Sequence, residues 1–301
     1  MTVVASAPGK IVLAGEYAVL WDAPAVCMAV DRRAVVTLRA STDGECHVVT
    51  PGFEGEDRLR IVDAVSGDSR PACTIELDTR AFMDDGNKTG IGSSAALTVA
   101  LLAALEESPE VYHEALAAHR RLQGGSGSGV DVAAAVHGGL FEYEMPTHSV
   151  RALHWPVGLA YRVIWTGIPA STAAQLARLA AGAAHASRSA LLLAAPRMRD
   201  AWRSGDADRV LEEYISYIGV LRQFSVDHDL GIFDAGHEEM TDAAMVNGLV
   251  YKPAGAGGGD VGMLFGRDEA ALDTFVEQHA GMMHGVLPCT LEPAGVRVET
   301  R

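Results

Sequence analysis

Apolar and β-branched residues at 2–5 and 11–13 flank Ala7, Pro8, Gly9 and Lys10, which predicts two short strands joined by a turn, with Lys10 at a strand edge. Strands are also predicted at 34–38 and 47–50. Alternation over 73–77 predicts one more strand within an otherwise weakly patterned stretch from 51 to 86. A turn at 84–87 then leads into an unbroken apolar run, and a helix is predicted over 94–106, with a second over 109–123 opening at Pro109. The glycine-serine stretch 124–129 has the composition of a linker, yet another helix-like apolar run, 130–136, follows it at once. Strands at 140–144 and 161–165 bracket a proline-containing connection, 145–156, where a domain boundary is placed. Residues 171–225 read as helices punctuated at Pro196 and around Ser204–Asp206. After them come a helix over 234–247, strands at 248–251 and 261–265, a helix over 268–279 and a last strand at 296–299.

The 301 residues, 49% of them hydrophobic, suffice for one large or two ordinary domains. No segment approaches the roughly 18 consecutive apolar residues of a membrane span. Residues 1–10 lack the charged start and apolar core of a signal peptide, so a cytoplasmic protein is expected. The four cysteines, Cys27, Cys46, Cys73 and Cys289, are scattered without C-x-x-C spacing, against a zinc site or a disulfide framework. With 24 basic and 39 acidic residues the net charge is −15, which disfavours nucleic acid and anionic membrane as partners. An anionic small molecule would need a few placed Lys or Arg side chains.

The chemistry concentrates in the run from Lys88 to Ala96. Gly90 and Gly92 let the backbone turn close to a ligand, Ser93 and Ser94 suit a helix cap, and the helix start offers unpaired N–H donors that bind phosphate. By itself this run equally describes a capped core helix after a tight turn. No G-x-x-x-x-G-K-[ST] loop occurs. The G-x-G-x-x-A at Gly90–Ala95 lacks the preceding buried strand of a dinucleotide fold.

Three separated motifs do occur in order: Pro8-Gly9-Lys10 with Gly15-Glu16-Tyr17-Ala18-Val19-Leu20; Lys88 through Leu97; and Lys252-Pro253-Ala254-Gly255-Ala256-Gly257-Gly258-Gly259-Asp260. In order and texture they resemble the GHMP kinases over residues 8–265. The spelling of Lys88–Leu97, of Gly127–Val136, of Trp165–Thr172 and of the last loop is similar to the phosphomevalonate branch. Arg120 stands where mevalonate kinases carry a magnesium-binding Glu, His137 where the phosphomevalonate branch tends to have Tyr, and Ala254 where it has Ser.

The resemblance implies an α+β, two-domain fold, with a ribosomal protein S5 domain 2-like N-terminal domain (1–155) and a ferredoxin-like C-terminal domain (156–301). It implies an ATP- and magnesium-dependent kinase that phosphorylates the phosphate of 5-phosphomevalonate. The alternatives are another GHMP kinase, of the mevalonate type, or a catalytically silent ligand-binding member, against which Lys10, Ser94 and Asp131 together argue. The implied roles are catalytic for Lys10 and Asp131, with Asp131 as base or orienter and Lys10 as its partner. Lys88, Gly90, Gly92, Ser93, Ser94 and Ala95 are implied to bind the nucleotide, with Ser94 also the magnesium ligand. Glu16, Ser126, Ser128, Ser171 and Gly257 are implied to bind the phosphorylated small-molecule substrate. Asp131 also reads as a helix-start acid, Lys10 and Lys88 as solvated turn residues, and Ser171 as a cap. Lys88, Arg178, Arg188 and Arg197 are candidates for the substrate phosphate, although the three arginines read first as solvated helix faces, and His119 and His137 read as structural.

Overall fold

A computed structural model describes residues 2–51, 57–67, 70–125, 127–182 and 185–301. In chain order the first elements are β1 (Thr2–Ala14), β2 (Ala25–Ala40), β3 (His47–Val49), α1 (Asp57–Ser66), β4 (Cys73–Asp78), β5 (Met83–Asp84), β6 (Asn87–Lys88), α2 (Ser93–Glu106), α3 (Tyr112–Leu122) and α4 (Val130–His137). There follow β7 (Leu140–Glu144), β8 (Ser149–Leu153), β9 (Ala160–Trp165), α5 (Thr172–Ala181), α6 (Ala186–Ser204), α7 (Ala207–Asp227), α8 (His237–Val246), β10 (Val250–Pro253), β11 (Val261–Gly266), α9 (Glu269–Gln278), β12 (Gly285–Leu287) and β13 (Arg297–Thr300). The α+β class expected from the sequence is the one observed. Among the described residues no helix is long and apolar enough to cross a membrane.

The turn expected at Ala7–Lys10 is absent, because β1 runs straight through it. Pairing with β13 covers Val3–Ser6, so Pro8 lies beyond that ladder and its missing N–H costs no bond there. Gly9 serves a close approach rather than a turn. A Cβ on it would stand 2.5 Å from Ile91 O and 2.7 Å from Phe82 Cε1. The hairpin β5–β6 turns through Asp85 and Gly86, both at positive φ (44° and 78°), as Asp-Gly hairpins do. Helix α6 continues through Pro196, where punctuation was expected. Leu191, Ala194, Ala195, Met198, Ala201 and Trp202 bury one face on both sides of the proline, and that packing outweighs the lost helical bond.

The chain divides into two compact units that do not follow the chain-order boundary at 155/156. Unit 1 comprises Met1–Ile11, Met28–Gly139 and Thr290–Arg301, and unit 2 comprises Val12–Cys27 and Leu140–Cys289. Both are discontinuous because β1 and β2 each contribute to both units and the last strand returns to β1. In unit 1 the strand order is β13-β1-β2-β4-β3, and α1, α2, α3 and α4 pack on one another. Residues 95–104 of α2 are buried all round, as expected of a helix at the centre of a layer. In unit 2 an antiparallel sheet has the order β10-β11-β9-β12, with α5 to α8 between β9 and β10 and α9 between β11 and β12. This is the βαββαβ arrangement of a ferredoxin-like domain.

Candidate active site

The start of α2 is the organising feature of unit 1. Gly92 is its N-cap, in the left-handed region at φ 88°, and no side chain caps the helix, so the serines expected to cap it do not. The first helical bond runs from Ala96 N to Gly92 O at 3.1 Å, which leaves the N–H groups of Ser93, Ser94 and Ala95 without helical acceptors. Gly90, at φ 75°, makes the preceding bend. The Ser94 side chain is exposed on this first turn, and Ser94 O accepts from Thr98 Oγ1 at 2.9 Å.

β1 brings Lys10 to this turn. Lys10 N donates to Ile91 O at 2.8 Å, and the Lys10 side chain runs past Gly92, whose added Cβ would stand 3.1 Å from Lys10 Cγ. An ammonium side chain thus lies along a row of free N–H donors at a helix N-terminus, the composition of a polyphosphate site. Lys88 is exposed on β6.

Asp131 sits in the first turn of α4, behind the N-cap Gly129 at φ 83°. Its Oδ1 accepts from Val132 N at 3.0 Å, and its Oδ2 lies 3.6 Å from Nδ1 of His119, which is 3% exposed. The Lys10–Asp131 pairing expected from the sequence is not formed. Among the described residues the basic side chain within 4 Å of Asp131 is His119, a residue expected to be structural. The buried imidazole lies behind the carboxylate, and a fifth of the Asp131 side-chain surface still faces solvent. Ser128 Oγ accepts from Val130 N at 3.4 Å, close to the limit of a hydrogen bond. Ser126 lies outside the described residues.

In unit 2 the expected substrate residues have other duties. The Glu16 side chain is 1% exposed and ion-paired to Nζ of Lys252, itself 0% exposed, and it accepts from Tyr217 OH at 2.8 Å. Tyr217 OH in turn accepts from Gly15 N at 2.9 Å. Glu16 is therefore a buried strut rather than a substrate ligand, because a carboxylate withdrawn from water keeps its charge only while its partners hold it. Burial pushes the Lys252 ammonium below the usual lysine range, against the opposing pull of Glu16. The sequence signal for this pair is a lysine heading a glycine loop and a glutamate following a glycine in the first motif.

The Gly255–Gly259 loop packs against unit 2's own backbone. A Cβ on Gly257, at φ 69°, would stand 2.5 Å from Ile232 O, so this glycine is a close-packing residue, not a demonstrated substrate contact. Gly258 N donates to Ile232 O at 2.9 Å, and Tyr17 OH donates to Ala256 O at 2.6 Å, which ties the first motif to the loop. Asp260 fastens the other side: its Oδ1 accepts from Ala170 N at 3.1 Å and its N donates to Ile168 O at 2.7 Å. His237 closes the loop from behind, between Tyr251 OH at 2.8 Å and Gly259 O at 2.9 Å. Ser171 Oγ accepts from Ala174 N at 3.3 Å as the N-cap of α5, the capping alternative rather than a seen substrate contact. Arg197 pairs with Glu213 at 2.9 Å on the surface.

Among the described residues no three His, Cys, Asp or Glu side chains are placed to hold a metal ion. Magnesium held largely by polyphosphate oxygens and water needs only one or two protein ligands, and the exposed Ser94 hydroxyl on an open helix start fits that demand.

Residues 60–139 match the family model described as the GHMP kinases N terminal domain. The chain is 32% identical to a phosphomevalonate kinase of Streptomyces sp. (strain CL190), over 97% of this chain and 97% of that one. In fold it is similar to a Lin0012 protein from Listeria innocua, with a TM-score of 0.84 at 22% identity, covering 100% of both chains. It is also similar to a Streptococcus pneumoniae phosphomevalonate kinase in complex with phosphomevalonate and AMPPNP, with a TM-score of 0.76 at 18% identity, covering 98% of this chain and 99% of that one.

Proposed function

The chain belongs to the GHMP kinases, and on that premise we propose that it transfers the γ-phosphoryl group of ATP to the phosphate of 5-phosphomevalonate, giving 5-diphosphomevalonate and ADP. The observation that carries the phosphoryl-transfer reading is the open first turn of α2 with Lys10 laid along it. The end-to-end similarity to a phosphomevalonate kinase supports the choice of phosphoryl acceptor.

Phosphoryl transfer asks little covalent chemistry of a protein; it asks for position and charge. The N–H groups of Ser93, Ser94 and Ala95 hold the donor phosphates without reorganising, because the helix has already fixed their direction. Ser94 Oγ would hold magnesium, which when bound would supply positive charge to the donor phosphates. Lys10 neutralises charge as phosphates crowd together, and the lack of a side chain at Gly92 leaves room for its stem. The reacting oxygen of the phosphoryl acceptor belongs to a phosphate already anionic near neutral pH, so Asp131 orients it or takes one residual proton. The buried His119 ring stands behind that carboxylate.

ADP release by purified protein with ATP, magnesium and a panel of mevalonate, phosphomevalonate, homoserine and galactose is expected to be fastest with phosphomevalonate. Equal or faster turnover of a non-phosphorylated alcohol would reassign the chain to an alcohol kinase.

A further inference from the structure

Cys46 and Cys73, both in unit 1, are free, half-buried thiols with no part in the proposed phosphoryl transfer. β3 and β4 run parallel, with His47 beside Thr74, Val48 beside Ile75 and Val49 beside Glu76. One step back along that register, Cys46 stands beside Cys73. The two also share a face. Side chains alternate along a strand, so Cys46 lies on the face of Val48 and Cys73 on that of Ile75, which the register places side by side. That face is the inner one, since Ile75 and Leu77 are buried while His47 and Val49, on the other face of β3, are exposed. Neighbouring strands lie about 4.8 Å apart, within the Cα separations of about 4.4–6.8 Å that a disulfide spans.

Local bonds fix the chain at both thiols. Ahead of Cys46, Asp43 Oδ1 accepts from Glu45 N at 3.0 Å, and Asp43 Oδ2 lies 2.8 Å from His47 Nε2. Cys73 N donates to Pro71 O at 2.8 Å, and on its far side Cys73 is in register with Ala40 of β2. The sulfurs can therefore join with the strands where they are. They also feel one another: burial, then the neighbouring Cys46, pushes the Cys73 thiol up.

We infer that Cys46 and Cys73 are a modification site, a thiol pair that a peroxide oxidises to a reversible disulfide stapling the edge strand β3 to β4. One thiolate attacks hydrogen peroxide, the O–O bond breaks, and a sulfenic acid and hydroxide result. The second sulfur attacks the sulfenic sulfur; S–S forms, S–O breaks and water leaves. The hydroxide takes the remaining thiol proton, so two thiols and one peroxide give one disulfide and two waters. A dithiol reductant reverses the step by exchange. The bridge closes a loop from 46 to 73 that contains α1, which restricts the unfolded chain more than the folded one.

The test uses the full chain, reduced, freed of reductant and treated with one equivalent of hydrogen peroxide. Thiol titration after denaturation is expected to fall from four to two, and digestion without reductant to yield a peptide joining residues 46 and 73. Tm should rise by about 5–10 °C and return to its starting value with dithiothreitol. Cys46→Ser and Cys73→Ser should each abolish both the joined peptide and the rise in Tm. Sulfinic acid at either position, a bridge between two chains, or lost thiols that map to other cysteines overturns the inference. A bridged protein whose Tm does not rise overturns the stapling. Peptide mapping of the wild type decides the bridge even where a variant fails to fold, and no readout depends on which substrate the chain phosphorylates.

Discussion

Glu16 and Lys252 show how a charged pair drawn from two motifs can be structural. Each is fully withdrawn from water, and Tyr217 completes the carboxylate. Lys252→Met alone should cost about 3–5 kcal/mol in denaturant unfolding, because it strands a buried carboxylate, and adding Glu16→Gln should restore part of the loss. A double variant no more stable than the single one would place the cost elsewhere. His237 gives a pH signature. Burial lowers its pKa to about 4, with the Gly259 carbonyl opposing, so Nε2–H donates to Gly259 O and Nδ1 accepts from Tyr251 OH. The unfolded chain takes up the proton below about 6.5 and the folded one only near 4. The contribution is therefore intact above 6.5, falls as pH drops through that window, and flattens below it, amounting to roughly 3 kcal/mol in all. Unfolding measured from pH 7 to 4 should show this slope in the wild type and a shallower one in His237→Gln.

Among the elements, α2 joins packing to binding, since its buried body anchors a first turn whose donors are left open. Gly92 is required twice over, by its φ of 88° and by the approach of Lys10. Gly92→Ala should destabilise by about 1–2 kcal/mol from the left-handed backbone alone. It should also displace Lys10 and raise KM for ATP more than it lowers kcat; an unchanged KM for ATP would argue against donor phosphates at this turn. The apolar run made the body of α2 legible in the sequence, and the two glycines marked its bend. The cap was not legible, since serine and glycine both cap helices and the choice between them depends on the backbone angle that the neighbouring strand imposes. β1 misled for a related reason: proline and glycine signal a turn locally, while here Pro8 sits past its ladder and Gly9 makes room for Ile91 and Phe82.

For the whole molecule, the motif order, the alternation of strands with helices and the missing P-loop spelling were properties of the sequence, and they led to the GHMP kinases and to an α+β fold. So was the acidic balance, 24 basic against 39 acidic residues, which confines any anion site to a few placed cations. Those features are local, fixed by what neighbouring residues can do with their own backbone. The compact units were not legible, because β1 and β2 each serve both and β13 returns from the far end of the chain to pair with β1. Nor were the partners of the charged groups. Asp131 stands beside His119 rather than Lys10, and Glu16 is bound to a lysine 236 positions away. A carboxylate in a motif is spelled the same way whether it faces solvent or is buried against an ammonium. Only burial and the long-range approach of chain segments distinguish the two, and these arise when the tertiary structure forms.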